Sequence, residues 1–197
     1  MNQYMKMFVF VLILGAITSL LLVGMDLLTA ERIEANENAN LYAAILDSNE
    51  VSYNFGTISN TFESEITVVE EDEYTLYYHE ASGNVSFVFI GGGVWGPIEG
   101  VLTLESDFET IVAMKILQQE ETPGLGGIIA NPEYLATYEG VKMVPEIDIT
   151  HSNQGDDNQV DAITGGTRTS NSVEIILNNT YAEYSEVWDS VSERVIG

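Results

Sequence analysis

Nineteen consecutive residues without a charge, Met7 to Met25 (MFVFVLILGAITSLLLVGM), constrain this chain more than any other feature. As a helix the run reaches about 28 Å, close to the roughly 30 Å hydrocarbon core of a bilayer. It has no polar face, which a helix lying on a globular core needs. It is therefore read as a membrane-crossing or signal segment. A cleaved signal has a shorter apolar core, about 7–15 residues, ending in a small-x-small site. The flank Leu27-Leu28-Thr29-Ala30-Glu31-Arg32 offers no such site, and the chain has no cysteine for lipid attachment. The reading taken is an anchor in the lipid bilayer. Lys6 precedes the run, while Asp26, Glu31, Glu34 and Glu37 follow it with Arg32. The positive-inside bias then puts the N-terminus in the cytoplasm and everything after Met25 in the periplasm or outside the cell, on a single-pass protein of the cell membrane.

The chain has 197 residues, 31 of them acidic and 6 basic, for a formal charge of -25. Such a surface repels phosphate, which excludes nucleic acid as a partner. It is read as a solvated outer face suited to salty or alkaline surroundings rather than as a binding site. The lack of cysteine excludes disulfides, thiolate metal sites and thiol nucleophiles.

Beyond the anchor, Leu27, Ala30, Ile33, Leu41, Ala44 and Ile45 fit a helical continuation to about Ser48. The period then changes. Ile66/Val68, Tyr74/Leu76/Tyr78 and Val85/Phe87/Phe89 alternate, with Ser82-Gly83-Asn84 as a turn. Gly91-Gly92-Gly93 ends that block, Gly96-Pro97 breaks the chain again, and a further strand pair, Ile98 to Leu104 and Ile111 to Leu117, turns at Glu105-Ser106-Asp107. In the tail Tyr181, Tyr184, Val187, Trp188, Val191 and Val195 share one helical face. The fold class is α+β: a transmembrane helix followed by one extracytoplasmic domain with an antiparallel sheet and flanking helices. The expected divisions are 1–25 for the cytoplasmic N-terminus and anchor, 26–90 for the juxtamembrane helix and first β region, and 91–197 for the ligand-binding region, with 26–197 as one folded unit.

Conventional catalytic patterns are scarce. His79 and His151 sit in no metal or triad-like spacing and are read as ordinary strand or loop residues. Asp156, Asp157 and Asp161 lack the glycine and terminal glutamate of a calcium loop. No GxxxxGK[ST] pattern occurs, and the one GxGxxG match, Gly91 to Gly96, lies between two expected strands instead of opening a helix as a dinucleotide cradle requires. One segment differs: Asp161-Ala162-Ile163-Thr164-Gly165-Gly166-Thr167-Arg168-Thr169-Ser170 crowds hydroxyls around two glycines and leads into a helical pattern through Val173, Ile176 and Leu177. The pair Asn171…Glu174 is expected to cap that helix, whose N–H groups would face the loop and favour a phosphate. The residues alone also fit a capped turn with no ligand. Two further segments are rich in glycine: Glu120-Glu121-Thr122-Pro123-Gly124-Leu125-Gly126-Gly127, and Gly91-Gly92-Gly93-Val94-Trp95-Gly96-Pro97-Ile98. Either is a ligand-facing backbone or a chain reversal, and Trp95 either flanks a flat ring or packs in the core. With no paired nucleophile and base, the set fits holding a phosphorylated planar cofactor better than hydrolysis.

The order of apolar helix, Gly-x-Trp-Gly-Pro-Ile, Glu-Thr-Pro-Gly-Leu-Gly and Asp-x-x-Thr-Gly-x-Thr-x-Thr-Ser resembles the FMN-binding components of membrane redox pumps. These are NqrC of the sodium-translocating NADH:quinone oxidoreductase (Na+-NQR) and RnfG of the Rnf complex. The resemblance covers essentially the whole chain, with its motifs between Gly91 and Ser170. It implies a covalent FMN, joined through its phosphate to the hydroxyl of Thr167 by a flavin transferase that uses FAD and magnesium. Asp161, Thr164, Gly165, Gly166, Arg168, Thr169 and Ser170 then belong to the attachment site, and Trp95, Thr122, Pro123, Gly124, Leu125 and Gly126 lie near the ring or ribityl chain. The family places alanine before the acceptor where this chain has Gly166, and often histidine where it has Gln119. The implied role is electron transfer within an ion-translocating oxidoreductase beside other membrane subunits, without catalysis by this chain alone. The competing readings are an extracytoplasmic ligand-binding or sensory domain with no redox role, and a stand-alone flavin reductase.

Overall fold

The computed structural model describes residues 2–196. The chain divides into two units, one ending at Ala39 and one beginning at Asn40. Helix α1 (Gln3–Ser48) makes up the first unit and contributes its last residues to the second. In the first unit the large apolar side chains between Met7 and Met25 are exposed, Leu20 at 75% and Leu22 at 73%. Leaving so much apolar surface in water is costly, at about 25 cal/mol per Å². By length and composition this helix is long and apolar enough to cross a membrane, a candidate anchor.

The second unit is built on a five-stranded antiparallel meander in the order β1-β2-β3-β4-β5. Its strands are β1 (Ile66–Glu71), β2 (Tyr74–His79), β3 (Asn84–Gly92), β4 (Pro97–Leu104) and β5 (Ile111–Gln118). Each coincides with a strand expected from the sequence. Alternation matters because Leu76, Phe87, Leu102 and Met114 then stand side by side across four strands. All four are buried. The long helix α4 (Thr167–Ile196) covers this face, with Tyr184 stacked on Phe87 at 4.5 Å and Trp188 on Phe108 at 5.4 Å. Each such side chain, fully buried, contributes roughly 1.5–3 kcal/mol.

The opposite face carries Tyr77, Ser86 and Thr103 in register. The Ser86 and Thr103 hydroxyls satisfy each other at 2.8 Å, which is what allows two polar side chains to be fully buried there. Helix α2 (Ile58–Glu65) brings Phe62 edge-on to Tyr77 at 5.9 Å and stacks it on Tyr42 of α1 at 4.0 Å. After β5 the chain passes through a 3-10 turn (Gly126–Ala130), the short α3 (Pro132–Leu135) and another 3-10 turn (Ala136–Tyr138).

It then forms a parallel pair that the sequence does not announce, β6 (Asp148–Thr150) and β7 (Gln159–Asp161). With three residues each, these strands are too short to show a period. Their parallel course brings both C-terminal ends to the same side.

The start of α4 corrects an expectation. The helix begins at Thr167, four residues before the expected cap at Asn171. Glu174 instead reaches sideways and accepts the Ile149 N–H at 2.7 Å, and Asn178 bonds both the N–H and the carbonyl of Ile147. These side chains hold β6 against the helix rather than capping it. The segments read separately around Val173 and Tyr181 are one continuous helix of 30 residues.

Candidate functional site

Three segments meet at an open cleft of about 330 Å³. The first is the tip of the β3–β4 hairpin, closed by the Gly93 N–H donating to the Gly96 carbonyl at 2.9 Å. It contributes Val94 and Trp95 to the lining. Trp95 is 70% exposed, which decides against core packing and leaves an aromatic ring in the cleft lining. The second is the loop after β5, contributing Glu121, Thr122, Leu125 and Gly126; the third is the entry to α4, contributing Gly165 through Thr169. Nine of the residues singled out in the sequence thus line one cleft: Trp95, Thr122, Leu125, Gly126, Gly165, Gly166, Thr167, Arg168 and Thr169.

The others lie around it. Pro123 and Gly124 shape the second loop without lining the cleft, and Thr164 sits in the exposed turn before α4. Ser170 is fully buried beneath the cleft, its hydroxyl accepting the Ile163 N–H at 3.0 Å. Asp161 ends β7 and points outward, exposed.

What holds the three segments together is Glu121, which the sequence places in a glycine-rich loop without marking it out. It is only 5% exposed. One carboxylate oxygen accepts the backbone N–H groups of Val94 at 2.7 Å and Trp95 at 3.2 Å, and the other accepts the Thr169 hydroxyl at 2.7 Å. A buried carboxylate is tolerated when donors surround it, and here three donors do so. Ion pairs play no part: among the described residues they are Lys142–Glu109 and Arg194–Glu71, both outside the cleft lining. Gly126 permits this closeness, since a Cβ there would press on the Thr169 hydroxyl and come within 2.7 Å of the Glu121 carboxylate. The adjacent Glu120 gives no sequence cue that Glu121 is the one turned inward.

At the entry to α4, Gly165 turns the chain with φ +80°, a conformation that favours glycine. The first-turn N–H groups of a helix have no acceptor within it, and at Thr167–Thr169 they sit beside the cleft. The dipole of the 30-residue helix adds partial positive charge there, and Arg168 adds a full one. The Thr167 side chain is exposed, and its hydroxyl lies 2.9 Å from His151 Nε2. His151 was expected to be an ordinary loop residue. It does lie in a turn, but the parallel β6 and β7 deliver it to the start of α4 from 16 positions away in sequence. No local pattern announces that meeting.

Behind the loop, Tyr138 is fully buried and shares a 3.2 Å hydrogen bond with Tyr134. Burial pushes the Tyr138 hydroxyl well above its ordinary range, and that of Tyr134 up as well, so both remain neutral donors. Among the described residues no group of three His, Asp or Glu could hold a metal ion. The lining therefore offers a flat aromatic and apolar side and an anion-favouring end that carries one exposed hydroxyl.

Residues 93–182 match the FMN-binding domain family, the stretch that contains all three cleft segments. The NqrC component of the Na(+)-translocating NADH-quinone reductase of Vibrio anguillarum is 30% identical over 109 residues, covering 50% of this chain and 43% of that protein. Its Chlamydia trachomatis counterpart is 47% identical over 53 residues, 27% of this chain and 17% of that protein. The chain thus spans less than half the length of these relatives. The crystal structure of the same component from Parabacteroides distasonis superimposes with a TM-score of 0.67 at 26% identity, over 77% of this chain and 92% of that one. NqrC of Shewanella oneidensis shares the fold, with a TM-score of 0.65 at 18% identity, over 75% of this chain and 93% of that one. With an FMN-binding domain match over all three cleft segments and a shared α+β architecture, the chain is similar to NqrC of the Na(+)-translocating NADH-quinone reductase.

Proposed function

We propose that this protein is a membrane-anchored electron-transfer subunit that carries one FMN, covalently bound through its phosphate to Thr167, in an ion-translocating oxidoreductase of the Na+-NQR or Rnf type. The observation that carries the reading is the placement of the Thr167 hydroxyl: exposed, on the first turn of α4, in the lining of the cleft. The residues present fit the cofactor. Trp95 and Leu125 offer apolar surface to a flat ring, Gly165 and Gly126 let backbone approach, and the helix start with Arg168 favours the phosphate. Bound flavin supplies the ability to take up and pass on electrons singly or in pairs. A phosphoester keeps the group attached although the cleft is open, which suits a carrier that meets two redox partners in turn.

In this reading the apolar stretch of α1 lies in the bilayer, the N-terminus faces the cytoplasm, and the domain from Asn40 onward lies outside. The partners are other membrane subunits, and during maturation a flavin transferase. Gly166 in place of the family's alanine leaves the hydroxyl chemistry intact, because Gly166 supports the turn through its N–H, which donates to the Ile163 carbonyl at 2.9 Å. The test is intact mass after co-expression with a flavin transferase. The expected gain is a single FMN phosphoryl unit, roughly 0.4 kDa. Protein that stays colourless and gains no mass beside an active transferase overturns the reading in favour of a tethered ligand-binding or sensory domain.

A further inference from the structure

We propose that His151 is the general base of flavin attachment within this chain, taking the proton of the Thr167 hydroxyl as that oxygen attacks the transferred phosphorus. The inference rests on the reading of Thr167 as acceptor and adds to it a residue that no local sequence pattern marks. A neutral threonine hydroxyl is a weak nucleophile, and a base within hydrogen-bond reach is the usual remedy. His151 Nε2 stands 2.9 Å from Thr167 Oγ1, inside that reach.

The pairing is unusual for this molecule. Several helical threonines fold their hydroxyls back onto the carbonyl four residues earlier, as Thr18 does to Leu14 at 3.0 Å and Thr29 to Met25 at 2.9 Å. Thr169 gives its hydroxyl to Glu121. Thr167 instead turns toward the imidazole. The other histidine shows what a structural one looks like here: His79 is buried, and its Nδ1 is bonded to Ser82 at 2.7 Å. His151 is exposed, as a group must be to pass a proton on to solvent. The parallel β6 and β7 fix the geometry, because Thr150 and Asp161 pair at their ends and the chain leaves both toward the α4 start.

The step balances as follows. The Oγ1–P bond of Thr167 forms, and the pyrophosphate P–O bond of a flavin adenine dinucleotide held by the transferase breaks. AMP leaves with that bond's electron pair, and the hydroxyl proton passes to His151 Nε2. Nothing is oxidised or reduced. For this role Nε2 accepts the hydrogen bond, which places the ring proton on Nδ1.

The experiment uses the full chain in detergent with purified transferase, FAD and magnesium, and follows the initial rate of mass gain. His151→Ala is expected to slow attachment about 100-fold, at the lower end of the roughly 10²–10⁴-fold range for a general base. His151→Gln is expected to stay slow too, since an amide can accept the hydroxyl's hydrogen bond but cannot take its proton. Attachment at the wild-type rate in either variant overturns the proposal. A second readout needs no transferase. In a ¹⁵N-histidine spectrum of the unmodified chain, which has only His79 and His151, Thr167→Val is expected to shift the His151 Nε2 signal and leave His79 in place. An unmoved His151 signal also overturns it. If wild-type protein gains no mass, the reading of Thr167 itself fails; if it gains mass and the His151 variants match it, only the base assignment fails.

Discussion

Thr167 and Thr169 stand two residues apart on the same helix turn, and the cleft treats them in opposite ways. Thr169 is buried and spends its hydroxyl on Glu121, which in turn holds the hairpin tip through Val94 and Trp95. Thr167 is exposed and offers its hydroxyl to solvent and to His151. One belongs to the floor that gives the cleft its shape, the other to the rim where chemistry is possible. Residue type does not distinguish them; helix position does, because residues two apart project in different directions on a helix with 3.6 residues per turn.

Breaking the floor should have the largest effect on stability. Glu121→Ala leaves three donors without their acceptor and is expected to cost about 3 kcal/mol, seen as a lower denaturant midpoint. A loss below a few tenths of a kcal/mol would show that the carboxylate does not join the loops. Thr169→Val removes one donor and strands a buried carboxylate oxygen, at about 1–3 kcal/mol by chemical denaturation. Gly126→Ala attacks the same junction by crowding, at about 1–3 kcal/mol.

Alkali sharpens the comparison by testing the core that the floor rests on. Burial, helped by the nearby carboxylates of Glu109, Asp107 and Asp189, pushes the Tyr181 pKa from 10.0 to about 12. A folded pKa above the unfolded one gives stability that is fully present below pH 10 and lost as pH rises toward 12. Tyr181→Phe should flatten the fall in unfolding free energy over that window, modestly, since the hydroxyl is only partly shielded from solvent. An unchanged slope would contradict the shift. The smallest stability effect belongs to the rim. Thr167→Val should change unfolding free energy by less than about 0.5 kcal/mol, as expected for an exposed site, while flavin attachment is lost.

Much of the scaffold was legible because it repeats. Alternation at Tyr74/Leu76/Tyr78 and Val85/Phe87/Phe89 identifies strands whose one face must be buried, and the apolar run from Met7 identifies the candidate anchor. The cleft was legible in outline, since three glycine-rich segments are short-range signals. What escaped depends on contacts distant in sequence. The β6–β7 pair is too short to show a period; Glu174 looks like a cap until Ile149 is there to use it; and Glu121 and His151 acquire their roles only from residues 48 and 16 positions away. Trp95 shows the limit of residue-type defaults, because hairpin closure pushes it out of the core that most tryptophans occupy.

Peptide mapping of flavin-loaded protein tests the central claim most directly, because trypsin cuts after Arg168 and places the two threonines in different fragments. The added mass is expected on the peptide Met143–Arg168, with fragmentation localising it to Thr167, and the peptide Thr169–Arg194 should be unmodified. A flavin on the second peptide, or on neither, would contradict the account.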